Sequence, residues 1–206
     1  MRALHAVGLR SSLTLWLTTL LVLVLKIGPA EASFLVIWFG VAGIAGGFFC
    51  AWISDAMGRR PSVVLACLVA AAATSLSGYF STAHIGSVSV FYLMVLVHGF
   101  FGSGNYAIVG PYMAEVWPAK LRTSGRGVGY GVGNLGKFIG PAGLALIAGS
   151  SNYVSPQATL EALVPGMNYF AFWYVLGAAA IWFIGFETRG RTIDDIDREL
   201  TRPVRT

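Results

Sequence analysis

The hydrophobic residues of this chain form six long runs separated by polar segments. The runs cover Leu13 to Ile27, Phe34 to Ile53, Ser62 to Phe80, Val88 to Met113, Gly125 to Ala148 and Asn168 to Phe186. About 20 apolar residues in a helix are needed to cross the hydrocarbon core of a bilayer. The pattern therefore predicts an all-α membrane protein with six transmembrane helices, in which most connections are short and residues 149–167 form the longest.

Composition and charge agree with a membrane location. The 206 residues are 56% hydrophobic and 11% charged, whereas a soluble domain carries about 25% charged residues. With the N-terminus inside, twelve of the fourteen basic residues fall on the inner side, which the positive-inside rule associates with the cytoplasm. Both termini are therefore expected in the cytoplasm, with the lipid bilayer of a bacterial inner membrane around the helices. The twelve are Arg2, Arg10, Arg59, Arg60, Lys120, Arg122, Arg126, Arg189, Arg191, Arg198, Arg202 and Arg205.

Three further features of the sequence bear on its processing and on the kinds of site it could form. Residues 1–32 also resemble a secretory signal peptide, and cleavage would leave five spans with the remaining topology unchanged. Cys50 and Cys67 lie in predicted spans without metal-ligand spacing, so we expect small buried hydrophobic residues there. The basic residues are divided among several connections, a distribution that argues against nucleic-acid binding.

The segments before and after the last predicted span have different sequence patterns. Residues 1–187 are expected to form the membrane domain and residues 188–206 a cytoplasmic tail. In this tail, Thr192 and Asp195 have the spacing of a capping box, which predicts a short polar helix that Pro203 ends. Before the last span, the 158–164 segment predicts a short interfacial helix that ends near Pro165.

A lysine lies within the fifth predicted span, where placing its charge in the bilayer has a high free-energy cost. Lys137 requires a wet cavity, an anion or a carboxylate partner. It is either a counter-charge for an anionic substrate such as an organic acid or a structural lysine. Asn134, one turn earlier, would add directional hydrogen bonds to the same substrate.

The fourth span contains three further candidates for a transport path. His98 has an ordinary pKa near neutrality, which suits proton coupling, although a lone histidine in a helix is more often satisfied by a neighbouring carbonyl or hydroxyl group. Asn105 and Tyr106, about two turns further along, are candidates for lining a polar path.

Enzyme and nucleotide-binding functions are disfavoured. The 131–136 segment has the spelling GxGxxG, but no strand precedes it and no acidic residue follows about 20 positions later. Its glycines are better explained by close helix packing in lipid, and Pro141 is expected to bend the span. The sequence shows no clustered metal ligands and no nucleophile with a base nearby, so no cofactor is expected.

Three loop motifs carry a family resemblance. The turn from Ala51 to Arg60 contains Asp55, Gly58, Arg59 and Arg60 and resembles the GxxxDxxGRR loop of the Major Facilitator Superfamily. The segment from Pro111 to Arg122 is similar to the Glu-x-x-Pro-x-x-x-Arg loop of its sugar-porter branch, and the 187–192 segment is similar to the PETKGR tail of that branch. By composition alone, the charged turn would equally be a solvated loop that fixes topology.

The resemblance implies a fold, a function and roles for the loop charges. The order of the motifs resembles the C-terminal six-helix half of a twelve-helix transporter of the sugar-porter and metabolite:proton symporter branch. Such a half needs a second six-helix half, which is either an N-terminal half or another copy, and the chain is either a truncated fragment or a half-sized subunit. By resemblance, Asp55 packs against the helix start near Thr123, and Glu115 pairs with Arg59 or Arg122. These contacts form a cytoplasmic latch that favours the outward-open state.

The resemblance and the membrane-embedded charges together define the expected function. We expect secondary transport of a small organic acid, with protons as the coupling ion. A sugar transporter half is the first alternative. A non-transporting receptor or assembly subunit is the second.

Overall fold

The computed structural model describes residues 17–18, 20–148 and 162–200, and its ordered elements are mainly helices. Residues 17–18 and 20–25 are helical and belong to the first predicted span, of which residues 13–16 and 19 lie outside the described residues. The later helices are α1 (Pro29–Met57), α2 (Arg59–Tyr79), α3 (Val90–His98), α4 (Tyr106–Glu115), α5 (Arg122–Asn134), α6 (Gly136–Ala148), α7 (Leu163–Ile184) and α8 (Ile193–Leu200). A π-helical segment, Gly99–Ser103, joins α3 to α4.

Four stretches are long and apolar enough to span a membrane. They are Pro29–Met57, Arg59–Tyr79, Val90–Glu115 and Leu163–Ile184, and they correspond to the second, third, fourth and sixth predicted spans. A two-stranded antiparallel hairpin of β1 (His84–Ile85) and β2 (Val88–Ser89) connects α2 to α3. A short 3-10 turn, Ala119–Leu121, connects α4 to α5.

The fifth predicted span is not one continuous helix. Helix α5 ends at Asn134 and α6 begins at Gly136, and each has 13 residues. Alternate positions of α5 from 125 to 133 are glycines, and each glycine weakens a helix interior by about 1 kcal/mol relative to alanine. The helical hydrogen-bond pattern is interrupted at Leu135, which keeps helical backbone angles, and the bend expected at Pro141 stays a prediction.

Two helices begin earlier than the sequence pattern predicts. Helix α1 begins at Pro29 instead of Phe34, because proline at the first helical position has no N–H group that needs an intrahelical partner. Helix α7 begins at Leu163 instead of Asn168, and Pro165 lies in its first turn. The interfacial helix expected to end near Pro165 is wrong in its end point, and its beginning lies outside the described residues.

Glycines allow the backbones of α1 and the π segment to come into direct contact. A Cβ atom added to Gly46 would lie 1.9 Å from the carbonyl oxygen of Phe100, and one added to Gly104 would lie 2.4 Å from the carbonyl oxygen of Gly46. No side chain fits at this crossing. The close approach of small residues is typical of helix packing in lipid, where it increases van der Waals contact.

Helices α2 and α7 pack along their length and form most of one core. This core includes Cys50 and Cys67, which are free and buried, in agreement with their predicted role as small hydrophobic residues. By contrast, α1 directs large apolar side chains outward, and Ile44, Phe48 and Trp52 are each at least 66% exposed. In a membrane helix such a surface faces lipid or another helix bundle.

Candidate functional site at the basic end

Three charged segments meet at one end of the helix bundle. They are residues 54–60 at the junction of α1 and α2, residues 115–122 from the end of α4 to the start of α5, and residues 185–198 after α7. We call this region the basic end. The segments surround a cavity of about 210 Å³. Its lining consists of Ser54, Asp55, Arg59, Glu115, Thr188, Arg189, Gly190, Arg191, Ile193 and Ile196. The three motifs that carry the family resemblance thus come together in space.

Arg59 connects the first two segments through three side-chain contacts. Its Nη1 donates to Asp55 Oδ1 at 2.6 Å and to Ser54 Oγ at 2.8 Å. Its Nη2 lies 3.5 Å from Glu115 Oε1. The Arg59 and Glu115 side chains are 25% and 22% exposed, whereas Asp55 is 75% exposed. The pair with Glu115 is therefore less screened by solvent than the pair with Asp55.

Glu187 closes the N-terminus of α2. Its carboxylate accepts hydrogen bonds from the backbone N–H groups of Arg59 and Arg60 at 2.9 and 3.0 Å. It also accepts from the N–H groups of Thr188 and Arg189, both at 3.0 Å. Partial burial alone would raise the pKa of the Glu187 carboxyl, but these four donors lower its pKa below the ordinary value. A charged carboxylate at a helix N-terminus is also favoured by the helix dipole.

A glycine makes room for this carboxylate. Gly58 has a φ of 104°, and a Cβ atom there would lie 2.8 Å from Glu187 Oε2. The left-handed backbone and the close contact both disfavour any residue with a side chain. The predicted glycine of the turn motif therefore serves the Glu187 contact as well as the turn.

The prediction for Asp55 is wrong in its partner. We expected this carboxylate at a neighbouring helix start near Thr123, but its ion pair is with Arg59 of the same turn. Glu187 instead occupies a helix N-terminus, that of α2. At the start of α5, the ring of Trp117 packs so closely against Gly125 that a Cβ atom there would lie 2.2 Å from it.

The tail contacts both other segments. The Thr188 hydroxyl donates to Glu115 Oε2 at 2.5 Å. Asp197 Oδ1 accepts from Arg122 Nη2 at 3.2 Å and from the Ala119 N–H at 3.1 Å. Glu115 is therefore held by α2 and by the tail together, and Arg122 pairs with the tail instead of with Glu115.

The predicted capping box begins the tail helix. Asp195 N–H donates to Thr192 Oγ1 at 3.2 Å, and the Thr192 hydroxyl donates to Asp195 Oδ2 at 2.6 Å. Helix α8 follows directly, and its Ile196 side chain is buried. This anchors the tail at the basic end, whereas Pro203 lies outside the described residues.

Arg60 has a different role from Arg59. Its Nη2 donates to the backbone carbonyl of Trp182, and its guanidinium lies 5.0 Å from the centre of the Trp182 ring. The carbonyl belongs to the last turn of α7, where carbonyl groups lack intrahelical donors. Arg60 thus joins the start of α2 to the end of α7.

The five candidates within the membrane are divided between two parts of the fold. His98 and Asn105 contact α2, through Thr74 and Cys67 respectively, and Tyr106 is half-buried at the start of α4. Asn134 is the exposed last residue of α5, and Lys137 is the second residue of α6. Three of the candidates therefore lie on the stretch from α3 to α4, and the other two flank the junction of α5 and α6.

Sequence reasoning missed three residues of the basic end as site residues. Glu187 and Thr188 stand within the tail motif that resembles the sugar-porter branch, so the motif itself was the available signal. Asp197 had no signal, because its partners Ala119 and Arg122 are more than 70 positions away in the chain. Within the described residues, no group of three or more His, Cys, Asp or Glu side chains is arranged to hold a metal ion.

Comparison with known proteins gives a consistent family match. The model of the Major Facilitator Superfamily matches residues 4–200. The "Probable 4-methylmuconolactone transporter" of Cupriavidus pinatubonensis (strain JMP 134 / LMG 1197) is 31% identical over 160 residues, which are 74% of this chain and 34% of that protein. The "Sialic acid transporter NanX" of Escherichia coli (strain K12) is 33% identical over 95 residues, which are 45% of this chain and 22% of that protein.

A solved structure shows the same fold. The proton:xylose symporter XylE, bound to 6-bromo-6-deoxy-D-glucose, matches with a TM-score of 0.67 and 18% sequence identity. The match covers 97% of this chain and 47% of the symporter chain. The chain therefore spans about half the length of this transporter and about a third or less of the two relatives matched by sequence.

Proposed function

Because the chain belongs to the Major Facilitator Superfamily, we propose that it forms one six-helix half of a secondary transporter for a small solute. It is an integral membrane protein, and its matched relatives are transporters, not enzymes. The chain acts as the C-terminal half. It pairs with a second six-helix half, either an N-terminal half or another copy, because the family binds its solute between two halves.

The contact network of the basic end is the observation that carries this proposal. Arg59 holds Glu115, and Glu187 closes the start of α2, so three segments of the chain are joined at one face. Each contact is an ion pair or a charge-assisted hydrogen bond, which water replaces when the segments separate. Such a network is a suitable gate: it closes the cytoplasmic side in one state and opens in the other.

For the solute, we propose a small organic acid. Two relatives are named as transporters of 4-methylmuconolactone and of sialic acid. Lys137 lies in the first turn of α6, directly after the interruption of the fifth span. A cation within the membrane is favoured by an anionic partner. Asn134, the last residue of α5, lies within one turn of Lys137 along the chain and offers hydrogen-bond donors and acceptors.

We also propose that solute movement is coupled to protons. The solved structure with the same fold is a proton:xylose symporter, and proton movement down the membrane gradient provides the energy for accumulation. A sugar is the second candidate solute, since the solved structure holds a modified glucose. In that case the sugar hydroxyl groups would bind Asn134 and its neighbours without a charge partner.

Uptake into proteoliposomes tests the proposal. The full chain is reconstituted with and without a second half, and radiolabelled 4-methylmuconolactone, sialic acid and xylose are offered with an inward proton gradient. We expect saturable uptake of an acid or lactone that needs the second half and is abolished by a protonophore. Saturable binding without flux would instead favour a receptor or assembly subunit.

Variants of the gate test the contact network separately. Arg59→Ala leaves Glu115 without its cation, so we expect uptake to fall tenfold or more, corresponding to about 1.4 kcal/mol or more. Asp55→Asn removes an exposed partner and should lower uptake only about twofold. Arg126→Ala, at an exposed arginine near the same end, is the matched control. Membrane insertion of all three variants should be normal, and normal uptake by Arg59→Ala would refute the gate.

A further inference from the structure

His98 is held by a hydrogen bond at the centre of the helix bundle. It is the last residue of α3, directly before the π segment, and is 1% exposed. Its Nδ1 atom lies 2.7 Å from Oγ1 of Thr74 on α2, and Thr74 is 2% exposed. The bond therefore joins two helices where water does not compete for either group.

The surrounding bonds determine which ring nitrogen carries the proton. The Thr74 hydroxyl lies 2.7 Å from the carbonyl oxygen of Ala70. A hydroxyl has one hydrogen, and a carbonyl oxygen only accepts, so Thr74 donates to Ala70. Thr74 Oγ1 must then accept from His98, which places a proton on Nδ1. The histidine is thus fixed in orientation and in its donor atom.

The ring of His98 is also enclosed by three other elements. Phe39 of α1 stacks on it with a centroid distance of 6.3 Å, and Tyr174 of α7 meets it edge-on at 5.3 Å. A Cβ atom added to Gly102 of the π segment would lie 3.3 Å from His98 Nε2 and 3.2 Å from the Tyr174 oxygen. Of these neighbours, Tyr174 carries a titratable group. The side chain therefore points into the half itself, toward α2 and α7.

A second contact joins α2 to the stretch from α3 to α4, and we call the line of contacts between them the seam. Asn105 Nδ2 donates to Cys67 Sγ at 3.3 Å. Asn105 lies seven positions after His98, and Cys67 lies seven positions before Thr74, so the two contacts repeat along antiparallel helices. The seam then ends in the pair of Arg59 with Glu115 at the basic end. Three contacts along the stretch from α3 to α4 therefore hold it in one register against α2.

We propose that His98 is a positioning residue that fixes the register of the π segment against α2. This inference rests on the proposed function, because the register sets how α4 presents Tyr106 to the solute path and Glu115 to the gate. A π turn holds an extra residue in the helix, and its loss would turn the following helix by about 100° relative to the preceding one. The Nδ1–H bond to Thr74 before the π segment and the Asn105 contact after it together oppose this rotation. His98 does not carry the coupled proton.

Paired variants distinguish the bond from the volume of the side chain. His98→Asn places an amide donor near the position of Nδ1, whereas His98→Gln places its amide further out. Thr74→Ser keeps the hydroxyl acceptor, whereas Thr74→Val removes it at similar size. Exposed His84 in the hairpin provides the control variant His84→Asn.

Two measurements do not depend on transport. The first is the ¹⁵N spectrum of the full chain in nanodiscs, in which the ring signal of His98 is identified by its absence from the His98→Asn spectrum. This signal should show a protonated Nδ1 at pH 7.5. Thr74→Val and His98→Gln should lower the unfolding temperature by about 2–4 °C, whereas Thr74→Ser and His98→Asn should lower it less. An unprotonated Nδ1, or equal losses within each pair, would overturn the positioning bond even if no solute is transported.

Uptake by the complete assembly tests the consequence for transport. Thr74→Val and His98→Gln should change KM or Vmax by about fivefold. His98→Asn should retain most of the uptake and the same pH profile as His84→Asn. Loss of proton-driven accumulation in His98→Asn, with solute exchange retained, would identify His98 as a proton carrier and overturn the proposal. Unchanged uptake in Thr74→Val would also overturn it.

Discussion

Replacement of Glu187 by glutamine tests the strongest contact of the basic end. Two of its four hydrogen bonds connect the tail to α2, through the N–H groups of Arg59 and Arg60. A hydrogen bond to a charged group contributes about 1.5–3 kcal/mol. Glutamine keeps one oxygen acceptor but presents an NH₂ group to the other donor. We therefore expect Glu187→Gln to weaken the attachment of the tail by about 2 kcal/mol, which is roughly a 30-fold rise in the detached population.

Hydrogen–deuterium exchange measures this detachment directly. The amides of Arg59, Arg60, Thr188 and Arg189 are the donors themselves, so their exchange reports each bond. In nanodiscs at pH 7, all four should exchange faster in Glu187→Gln. Asp194→Asn removes an exposed carboxylate of α8 as the control and should leave them unchanged. Equal protection in Glu187→Gln and the unmodified chain would refute the role of Glu187 as the closing residue.

Three further predictions follow from the same structure. Gly58→Ala forces a side chain into a left-handed conformation 2.8 Å from Glu187 Oε2 and should destabilise the basic end by about 1–3 kcal/mol; normal amide protection there would contradict it. Gly46→Ala should prevent stable folding, because its Cβ would overlap the Phe100 carbonyl, whereas Gly47→Ala has no atom within 4 Å and should behave normally in detergent size-exclusion chromatography. Because the pKa of Glu187 is lowered, its contribution is present above the ordinary glutamate pKa of about 4.3 and is lost as the pH falls through the lower folded value; corrected exchange rates should show this loss, and Glu187→Gln should remove the pH dependence.

The hydrophobic pattern predicts the membrane helices well because a bilayer allows few alternatives. Four predicted spans correspond to helices of sufficient length, and their differences lie at the ends, where Pro29 and Pro165 are accepted in first turns. The interruption at Leu135 was harder to predict. Its position depends on how the glycine-rich helix packs, and hydrophobicity alone does not contain that information.

The sequence motifs contain several residues of the basic end, but they do not predict which of these residues pair with each other. The turn motif identified Arg59, and the second motif identified Glu115, so their contact agrees with an expectation from the resemblance. The resemblance predicts a carboxylate, Asp55, at the start of the helix near Thr123; it does not predict Glu187 at the start of α2. Glu187 is 128 positions from Arg59 in the chain and comes near it only through the packing of α7 on α2. Contacts of this kind follow from tertiary structure.

For His98, the sequence indicated the chemistry but not the direction of the side chain. An ordinary histidine pKa near neutrality favoured proton coupling. The alternative of a satisfied histidine needed a partner, and Thr74 lies 24 positions away on another helix. The helix pair that brings these residues together also encloses the ring, and this geometry is the basis for a positioning role.

Thiol labelling of Ser54→Cys tests most directly whether the basic end is a gate. Ser54 is 1% exposed, accepts a hydrogen bond from Arg59 and lines the cavity of the basic end. With the complete assembly in vesicles, we predict slow labelling by an impermeant maleimide when no solute is present. Labelling should be at least tenfold faster when Arg59→Ala is introduced or when a transported solute is added. The unmodified chain, with buried Cys50 and Cys67, gives the background. Slow labelling under all of these conditions would contradict the gate.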